Sequence, residues 1–308
     1  MLMIILMKKM NYYQNLNENM FSKKAISLTT ILLKGLGQIM LQENSVTGLL
    51  FLVGIFYGSF TMGLAALLAT ICGTATAFLL KYDKAEINKG LYGFSAALVG
   101  VATLLFLKPV LATWIILIIG SALATVIQHF FMKRKIPVFT LPFVLITWLI
   151  LFFTNNYFPG ILSEASIAIA SPINYLTVGF NGYGQVIFQG NLISGVLFFI
   201  AVCISSPISA LYGFFGALLS AFIAFSISAP VSDISIGLFS FNAVLCAIVF
   251  AGNQIKDSIW VLISILLSLV ISLLMVKFNF TQLTFPFVLA SCITLVVKKK
   301  YENNRQNN

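Results

Sequence analysis

Ten apolar segments, each close to the length that a helix needs to cross a bilayer, follow one another along this sequence. A crossing helix needs about 20 apolar residues, within a working range of about 17–25. The segments cover residues 45–60, 61–80, 90–107, 110–130, 136–153, 192–205, 208–229, 236–252, 257–277 and 282–297. Only 8% of the 308 residues are charged, whereas soluble domains carry about 25%. The pattern predicts an all-α membrane protein and excludes a soluble enzyme.

Neither the net charge of +10 nor the four cysteines indicates a nucleic-acid or metal partner. The lysines lie in short connections between apolar segments and form no basic face, so we expect no nucleic-acid binding. Cys72, Cys203, Cys246 and Cys292 lie far apart inside apolar segments. We interpret them as small packing residues, and we expect no metal and no cofactor.

Two of the apolar stretches are too long for a single crossing. Residues 45–80 would form a helix nearly twice the required length, at about 1.5 Å per residue. We predict that this stretch folds back at Tyr57-Gly58-Ser59. The stretch 192–229 is predicted to fold back at Ser205-Ser206-Pro207.

The two halves of the sequence resemble each other. Three blocks recur in the same order: GQIMLQENSVTG and GQVIFQGNLISG from Gly37 and Gly184, GLYGFSAAL and GLFSFNAVL from Gly90 and Gly237, and TLPFVL and TFPFVL from Thr140 and Thr284. The offset is 147 residues for the first two blocks and 144 for the third. The repetition indicates an internal duplication.

The distribution of basic residues predicts the orientation in the membrane. If the N-terminus is cytoplasmic and all ten segments cross, 16 of the 18 basic residues fall on the cytoplasmic side, leaving Lys108 and Lys277 outside. Five crossings in each copy mean that the second copy is inverted, an arrangement typical of transporters. The predicted organisation is a cytoplasmic N-terminal tail (1–29), a first repeat (30–153), an extracytoplasmic connection (154–176), a second, inverted repeat (177–297) and a cytoplasmic C-terminal tail (298–308). We expect the plasma (inner) membrane.

A short, partly polar stretch precedes the first span of each copy. Residues 31–44 and 178–191 are too short to cross a bilayer. Gln38 and Gln42 are four residues apart, as are Gln185 and Gln189, so a continuous helix would place each pair on one face. We predict two re-entrant half-helices; the alternative is a helix that lies flat at the interface.

A Thr-x-Pro-Phe motif occurs in each copy, at Thr140 and at Thr284. Proline has no N–H, so inside a helix the carbonyls of Val138 and Gln282 would lose their partners. Beside a pore, such carbonyls would form a row of acceptors next to a threonine hydroxyl. The alternative is a simple proline kink with the threonine bonded to its own helix.

Charged catalytic groups are missing from the apolar segments. The eight acidic residues lie at span ends, in connections or in tails, and His129 ends a span beside Lys133. Without a nucleophile–base pair or a metal cluster, we predict that the chain is not an enzyme. A lining of amides, hydroxyls and aromatic rings suits a small neutral solute. The alternative is an ion-coupled carrier of another small neutral polar solute.

The doubled motifs GxGQ(x)3Q(x)N, GLxxFxAxL and TxPF resemble those of the urea transporter family, in order and over roughly residues 25–298. The second copy differs in having Phe280-Thr281 where the family often has Leu-Pro. The resemblance implies two inverted repeats, each with five transmembrane helices and one re-entrant pore half-helix. It also implies a homotrimer in the lipid bilayer with one pore per protomer, conducting urea and related small amides by a channel-type passive route.

The resemblance further implies roles for ten residues. The threonines would mark the pore centre, the glutamines would anchor rows of polar groups, and the phenylalanines and leucines would shape a flat slot. The residues are Gln38, Leu41, Phe94, Leu98, Thr140, Gln185, Phe188, Phe241, Leu245 and Thr284. Leu41 departs from the aromatic residue expected there. Ser240 and Asn242 replace Gly93 and Ser95 in the second copy, so the two walls are not identical.

Overall fold

The computed structural model describes residues 27–164 and 174–306, and these residues are predominantly helical. Within these two ranges the only β-pairing is an isolated bridge between Leu107 and Leu162. The predicted N-terminal tail and the middle of the connection between the halves lie largely outside the described residues.

The helices of the two halves follow each other in the same order. The first half contains α1 (Ser27–Met40, with a 3-10 last turn), α2 (Ser45–Gly58), α3 (Phe60–Leu79), α4 (Lys84–Asn88), α5 (Phe94–Phe106), α6 (Leu111–Lys133) and α7 (Leu141–Tyr157). The second half contains α8 (Tyr175–Gln185), α9 (Leu192–Ser205), α10 (Pro207–Ser226), α11 (Val231–Ser235), α12 (Phe241–Phe250), α13 (Ile255–Lys277) and α14 (Phe285–Gln306). Each of the ten predicted apolar segments corresponds to one helix of 10 or more residues.

Four of the described helices, α3, α6, α10 and α13, are long and apolar enough to cross a bilayer alone. Helices α1 and α2 meet that criterion together but are bent by 76° at the break between them. Helices α5, α7, α9 and α12 are apolar but shorter. Four predicted segments begin at residues 90, 136, 236 and 282, but their helices begin later, at Phe94, Leu141, Phe241 and Phe285. Each of these helices is preceded by a few non-helical residues of the predicted segment. The last helix continues past the predicted span end at 297 to Gln306.

Both long stretches are interrupted at the predicted places, and a serine stands at each break. Ser59 and Ser206 have extended backbones, with φ of −158° and −153°, between consecutive helices. The Ser59 hydroxyl accepts from the Met62 N–H, and the Ser206 hydroxyl accepts from the Ser209 N–H, each at 3.3 Å. A serine N-cap satisfies a donor that the new helix would otherwise leave unpaired.

The backbone itself repeats between the halves. All residues with positive φ in the described ranges form five pairs at the offsets of the sequence repeat: Leu41 and Phe188, Lys81 and Ser228, Gly90 and Gly237, Lys135 and Asn279, and Phe139 and Leu283. A non-glycine residue with positive φ is uncommon. Its recurrence at equivalent positions shows that the two halves fold with the same local geometry.

A local twofold relation joins α2 of the first half to α9 of the second. The Thr47 hydroxyl donates to the Ala201 carbonyl at 2.7 Å, and the Ser194 hydroxyl donates to the Gly54 carbonyl at 2.7 Å. At the offset of 147 residues, Ser194 is equivalent to Thr47, and Ala201 is equivalent to Gly54. The two bonds are therefore the same contact with the halves exchanged. Reciprocal contacts of this kind are those of a twofold interface.

Candidate functional site

Two cavities lie beside the repeated motifs, one in each half. The Gln38 cavity has a volume of about 250 Å³. Its walls are Gln38, Ile39, Leu41, Leu91, Phe94, Gln128, Met132, Ile136, Pro137, Val138, Phe139, Thr140 and Phe287. The Gln185 cavity has a volume of about 420 Å³. Its walls are Leu105, Phe106, Gln185, Phe188, Gly190, Ile236, Leu238, Phe241, Thr281, Gln282 and Leu283.

The same positions of the duplicated sequence line both cavities. At an offset of 147 the equivalent pairs are Gln38 and Gln185, Leu41 and Phe188, Leu91 and Leu238, and Phe94 and Phe241; at 144 they are Pro137 and Thr281, Val138 and Gln282, and Phe139 and Leu283. The cavities are therefore two copies of one site. Each also contains residues from the other half of the chain, Phe287 in the first and Leu105 with Phe106 in the second.

A pair of threonine hydroxyls links the walls of the two cavities. Thr140 Oγ1 and Thr284 Oγ1 are 2.6 Å apart, and both residues are buried. Thr140 lines the Gln38 cavity, and Leu283, next to Thr284, lines the Gln185 cavity. Because Thr140 and Thr284 are equivalent in the duplication, their contact lies on the twofold relation between the halves.

Among residues 27–164 and 174–306, no charged side chain lines either cavity. The polar groups on their walls are the amides of Gln38, Gln128, Gln185 and Gln282, threonine hydroxyls and backbone groups. Such a wall can exchange hydrogen bonds with a neutral molecule but offers no opposite charge to an ion. A bare ion would therefore lose its hydration without compensation.

The structure brings seven of the ten predicted residues to the cavity walls. Thr284 lines neither cavity, but its hydroxyl contacts the hydroxyl of Thr140, which lines the Gln38 cavity. Leu98 and Leu245 are fully buried and line neither cavity. Both leucines belong to the apolar core beneath Phe94 and Phe241.

The predicted pairing of glutamines on one helical face is wrong. The helical turn ends at Met40, and Leu41 adopts a left-handed conformation with φ of 59°. Gln42 is therefore turned into the protein, where its Nε2 donates to the Met40 carbonyl at 2.8 Å. Gln189 behaves in the same way after Phe188, donating to the Ile187 carbonyl at 3.2 Å. Only the first glutamine of each pair faces a cavity.

The predicted loss of carbonyl partners at the prolines is also wrong. Helix α7 begins at Leu141, so Pro142 occupies the first turn, where its missing N–H leaves no carbonyl unpaired. The Val138 carbonyl accepts from the Leu141 N–H at 2.9 Å, and the Gln282 carbonyl accepts from the Phe285 N–H at 3.0 Å. Proline here starts the helix directly after each threonine and so fixes the position of the hydroxyl.

Gln38 is held by the turn that precedes α5. Its Nε2 donates to the Lys89 carbonyl at 3.0 Å. The turn approaches α1 closely at Gly90, where φ is 77° and a Cβ would overlap the Gly35 backbone. Gly237, with φ of 85°, packs against Asn181 in the second half. A glycine is required at both positions.

Two further glutamines face the cavities, and sequence reasoning missed them. Gln128 Oε1 accepts from the Ser95 hydroxyl at 3.2 Å. Gln282 Oε1 accepts from the Ser272 hydroxyl at 2.8 Å. Each serine hydroxyl thus holds the amide oxygen of its glutamine. Gln128 is equivalent to Ser272, so neither glutamine recurs in the other half, and a search for repeated residues cannot find them.

Asn242 positions Thr284 in the second half alone. Its Oδ1 accepts from the Phe287 N–H at 3.1 Å, and its Nδ2 donates to the Leu283 carbonyl at 3.3 Å. These bonds tie α12 to the start of α14 across the threonine. Ser95 occupies the equivalent position in the first half and bonds to Gln128 instead.

His129 lies outside both cavities. Its ring stacks on Tyr82 with centroids 3.6 Å apart, and its Nδ1 lies 2.9 Å from the Tyr92 hydroxyl, which donates to Glu86. No group of three metal-ligating side chains occurs in residues 27–164 and 174–306. The histidine therefore belongs to a structural cluster at one end of α6.

The comparisons with known proteins agree with the duplicated motifs. A family model described as urea transporter matches residues 29–299. Urea transporter 1 of Capra hircus is 27% identical over 305 residues, covering 91% of this chain and 79% of that protein. Urea transporter 1 of Mus musculus is 31% identical over 242 residues, covering 72% of this chain and 62% of that protein. Since the family model matches most of its length, this multi-pass membrane protein belongs to the urea transporter family.

Proposed function

We propose that this protein conducts urea passively across the membrane, by a route that runs from one cavity past the threonine pair to the other. The observation that carries the proposal is the contact between Thr140 and Thr284. Thr140 lines one of two equivalent cavities, and Thr284 follows Leu283, which lines the other. A transporter needs a site reachable from both sides, and two related cavities with a shared polar centre meet that need.

The twofold relation supports two inverted repeats, each with five spans and one re-entrant half-helix. If the axis lies in the membrane plane, the two cavities open to opposite faces. The bent pair of α1 and α2 suits a re-entrant segment, since α1 ends in the left-handed Leu41 beside a cavity. Irregular backbone at membrane depth is tolerated where it lines a cavity.

The walls match the chemistry of urea. Urea is planar and neutral, with four N–H donors and one carbonyl acceptor. Stripping its water costs several kcal/mol unless protein groups replace the lost hydrogen bonds. The threonine oxygens supply acceptors, the amides of Gln38 and Gln185 supply donors, and Phe94 with Phe241 provides flat apolar walls.

Passive flow follows from the absence of titratable groups on the cavity walls. Coupling to protons or sodium usually employs carboxylates or histidines within the spans. Weak polar contacts along the route let the solute leave as readily as it enters. The protein on this proposal is a channel-like transporter and not an enzyme.

The proposal extends to location and assembly. Placing 16 of the 18 basic residues on the inner side puts both termini in the cytoplasm of a cell with the protein in its plasma membrane. Family resemblance adds a homotrimer with one pore in each protomer. The surrounding bilayer contacts the exposed apolar side chains of α6 and α13.

Stopped-flow permeability of proteoliposomes tests the function directly. Purified protein should raise urea permeability without any ion gradient, and should admit formamide better than larger polar solutes. Sodium and proton gradients imposed across the same vesicles should leave urea flux unchanged. Flux that requires either gradient would favour the ion-coupled carrier, and vesicles no more permeable than protein-free ones would refute urea transport.

A further inference from the structure

A groove beside a cluster of lysines lies between α13 and α14, away from both cavities. It has a volume of about 670 Å³. Its walls are Lys256, Ile259, Trp260, Ile263, Val297, Tyr301 and Glu302. We call it the basic groove. It lies where α13 begins and α14 ends, so the two helix ends that form it reach the same membrane surface.

The duplication supplies an internal control for this groove. The equivalent space between α6 and α7 has a volume of about 270 Å³. Its walls are Ile116, Ile119, Gly120, Leu123, Ile146, Leu149, Ile150, Phe153, Thr154 and Phe158. At an offset of 144, Ile116 corresponds to Trp260, Phe153 to Val297, and Phe158 to Glu302. This apolar groove contains no charged side chain.

Four lysines distinguish the basic groove from its counterpart. Lys256, Lys298, Lys299 and Lys300 stand where the first half has Ala112, Thr154, Asn155 and Asn156. Two acids oppose them. The Asp257 carboxylate accepts from the Gln254 N–H at 3.0 Å, and its other oxygen lies 4.0 Å from Lys298 Nζ. Glu302 is the second acid and lines the groove with Lys256, so the positive excess comes from the lysines of α14 that flank the groove.

The apolar part of the groove suits a hydrocarbon chain. Ile259, Ile263 and Val297 expose 57%, 40% and 48% of their surface on the outside of the helix pair. Above them, Trp260 packs edge-to-face on Tyr301, with ring centroids 5.8 Å apart. Trp and Tyr are enriched at the level of lipid headgroups. Along the helix pair the groove thus changes from apolar side chains to the aromatic pair and then to Lys256 and Glu302.

We propose that the basic groove binds an anionic phospholipid of the leaflet at which α13 begins. Lys256 on the groove wall and the flanking lysines of α14 attract its phosphate, and the acyl chain lies along Ile259, Ile263 and Val297. Basic pockets between transmembrane helices on the cytoplasmic side bind anionic headgroups for the same electrostatic reason. The apolar groove of the first half offers no such preference. The assignment is independent of urea transport, since no groove residue lines either cavity.

Native mass spectrometry of the full-length protein tests the assignment, with phosphatidylglycerol and phosphatidylcholine of identical acyl chains as probes. The wild-type protein should retain phosphatidylglycerol in preference. The double variant K256Q/K299Q should lose that preference by about tenfold or more, since each lysine near a membrane surface contributes roughly fivefold. The matched control K84Q/K133Q removes two exposed lysines elsewhere and should retain it.

A second variant separates lost lipid binding from misfolding, because it is expected to bind the anionic lipid more strongly. Glu302→Gln removes an opposing carboxylate and should strengthen the preference for phosphatidylglycerol. Equal retention of the two lipids by the wild type would overturn the proposal. So would an unchanged preference in K256Q/K299Q, an equal loss in the control, or no gain with Glu302→Gln. A groove covered by a second copy of the chain would show a changed oligomer mass in K256Q/K299Q with no exchangeable lipid, which also overturns it.

Discussion

The Gln38 cavity and the Gln185 cavity are formed by the same backbone but have different walls. Both contain a glutamine in the last helical turns before the break, a residue with φ near 59°, and a phenylalanine that begins α5 or α12. They differ in volume, about 250 Å³ against about 420 Å³, and in the residue at the left-handed position, Leu41 against Phe188. The two cavities thus share their backbone geometry but differ in their wall residues. We therefore expect one transport mechanism with two different cavity entrances.

The difference separates what duplication preserves from what it leaves free. The threonine pair and the first glutamines are kept in both copies; Gln38, Thr140 and Gln185 line the cavities, and Thr284 bonds to Thr140. The additional amide comes from Gln128 in one cavity and from Gln282 in the other. An amide is therefore present beside each threonine even though its position in the sequence has changed. Experiments that treat the two cavities unequally can distinguish the shared features from the diverged ones.

Removal of both central hydroxyls should have the largest effect. In Thr140→Val with Thr284→Val, the shape of the wall is retained but the 2.6 Å contact and its acceptors are lost. We expect urea permeability to fall by tenfold or more, equivalent to about 1.4 kcal/mol or more in the barrier. Stopped-flow measurements on proteoliposomes with equal protein content give the value.

The single variants complete that test. Because the two threonines are equivalent, Thr140→Val and Thr284→Val should each reduce urea flux by a similar factor. Thr61→Val, which removes an exposed hydroxyl that lines neither cavity, should leave flux unchanged. Wild-type flux in the double variant would remove the threonines from the route.

Exchange of the left-handed residues should have a smaller effect and alter selectivity. Leu41→Phe adds an aromatic wall to the smaller cavity, and Phe188→Leu removes one from the larger cavity. Aromatic contacts contribute about 0.5–1.5 kcal/mol. We expect the ratio of urea to glycerol permeability to rise about threefold in Leu41→Phe and to fall about threefold in Phe188→Leu. Shifts in the same direction would mean that these residues do not select for flat solutes.

Much of the helical framework could be predicted from sequence, since apolar length and the repeat both have simple signals. The fold-backs at Ser59 and Ser206 were predicted because 45–80 and 192–229 are too long for one crossing. The pairing of Thr140 with Thr284 was implied by their equivalence. Their direct contact was not, because a sequence does not show which equivalent positions lie on a symmetry axis.

The local geometry at the cavities could not be predicted, since it depends on tertiary packing. Leucine and phenylalanine seldom adopt a left-handed backbone. The residue types at Leu41 and Phe188 therefore did not predict that the helix would end before Gln42 and Gln189. The proline motifs were predicted to lie inside helices. In the structure α7 starts one residue before Pro142, and this boundary is set by packing rather than by hydropathy.

Loss of the serines behind the non-repeated glutamines should have a modest effect in each half. Ser272→Ala removes the 2.8 Å bond to Gln282, and Ser95→Ala removes the longer 3.2 Å bond to Gln128. A hydrogen bond of this kind contributes about 0.5–1.5 kcal/mol. We expect urea flux to fall about twofold in Ser272→Ala and by less in Ser95→Ala, measured in the same vesicles. Ser226→Ala, at an exposed hydroxyl on α10, is the control. A greater loss in Ser95→Ala would reverse the assigned order of the two glutamines.

The smallest expected effect is that of pH, for which both cavities should behave alike. Neither is lined by a group that titrates between about pH 6 and about pH 8, and His129 lies outside the walls, bonded to Tyr92. Urea permeability should therefore stay constant across this range, whether the pH is changed on one side of the vesicle or on both. His129→Gln should show the same flat profile. A change of severalfold that depends on which side is acidified, and that disappears in His129→Gln, would show that the histidine cluster controls the Gln38 cavity and that the two entrances differ in regulation as well as in shape.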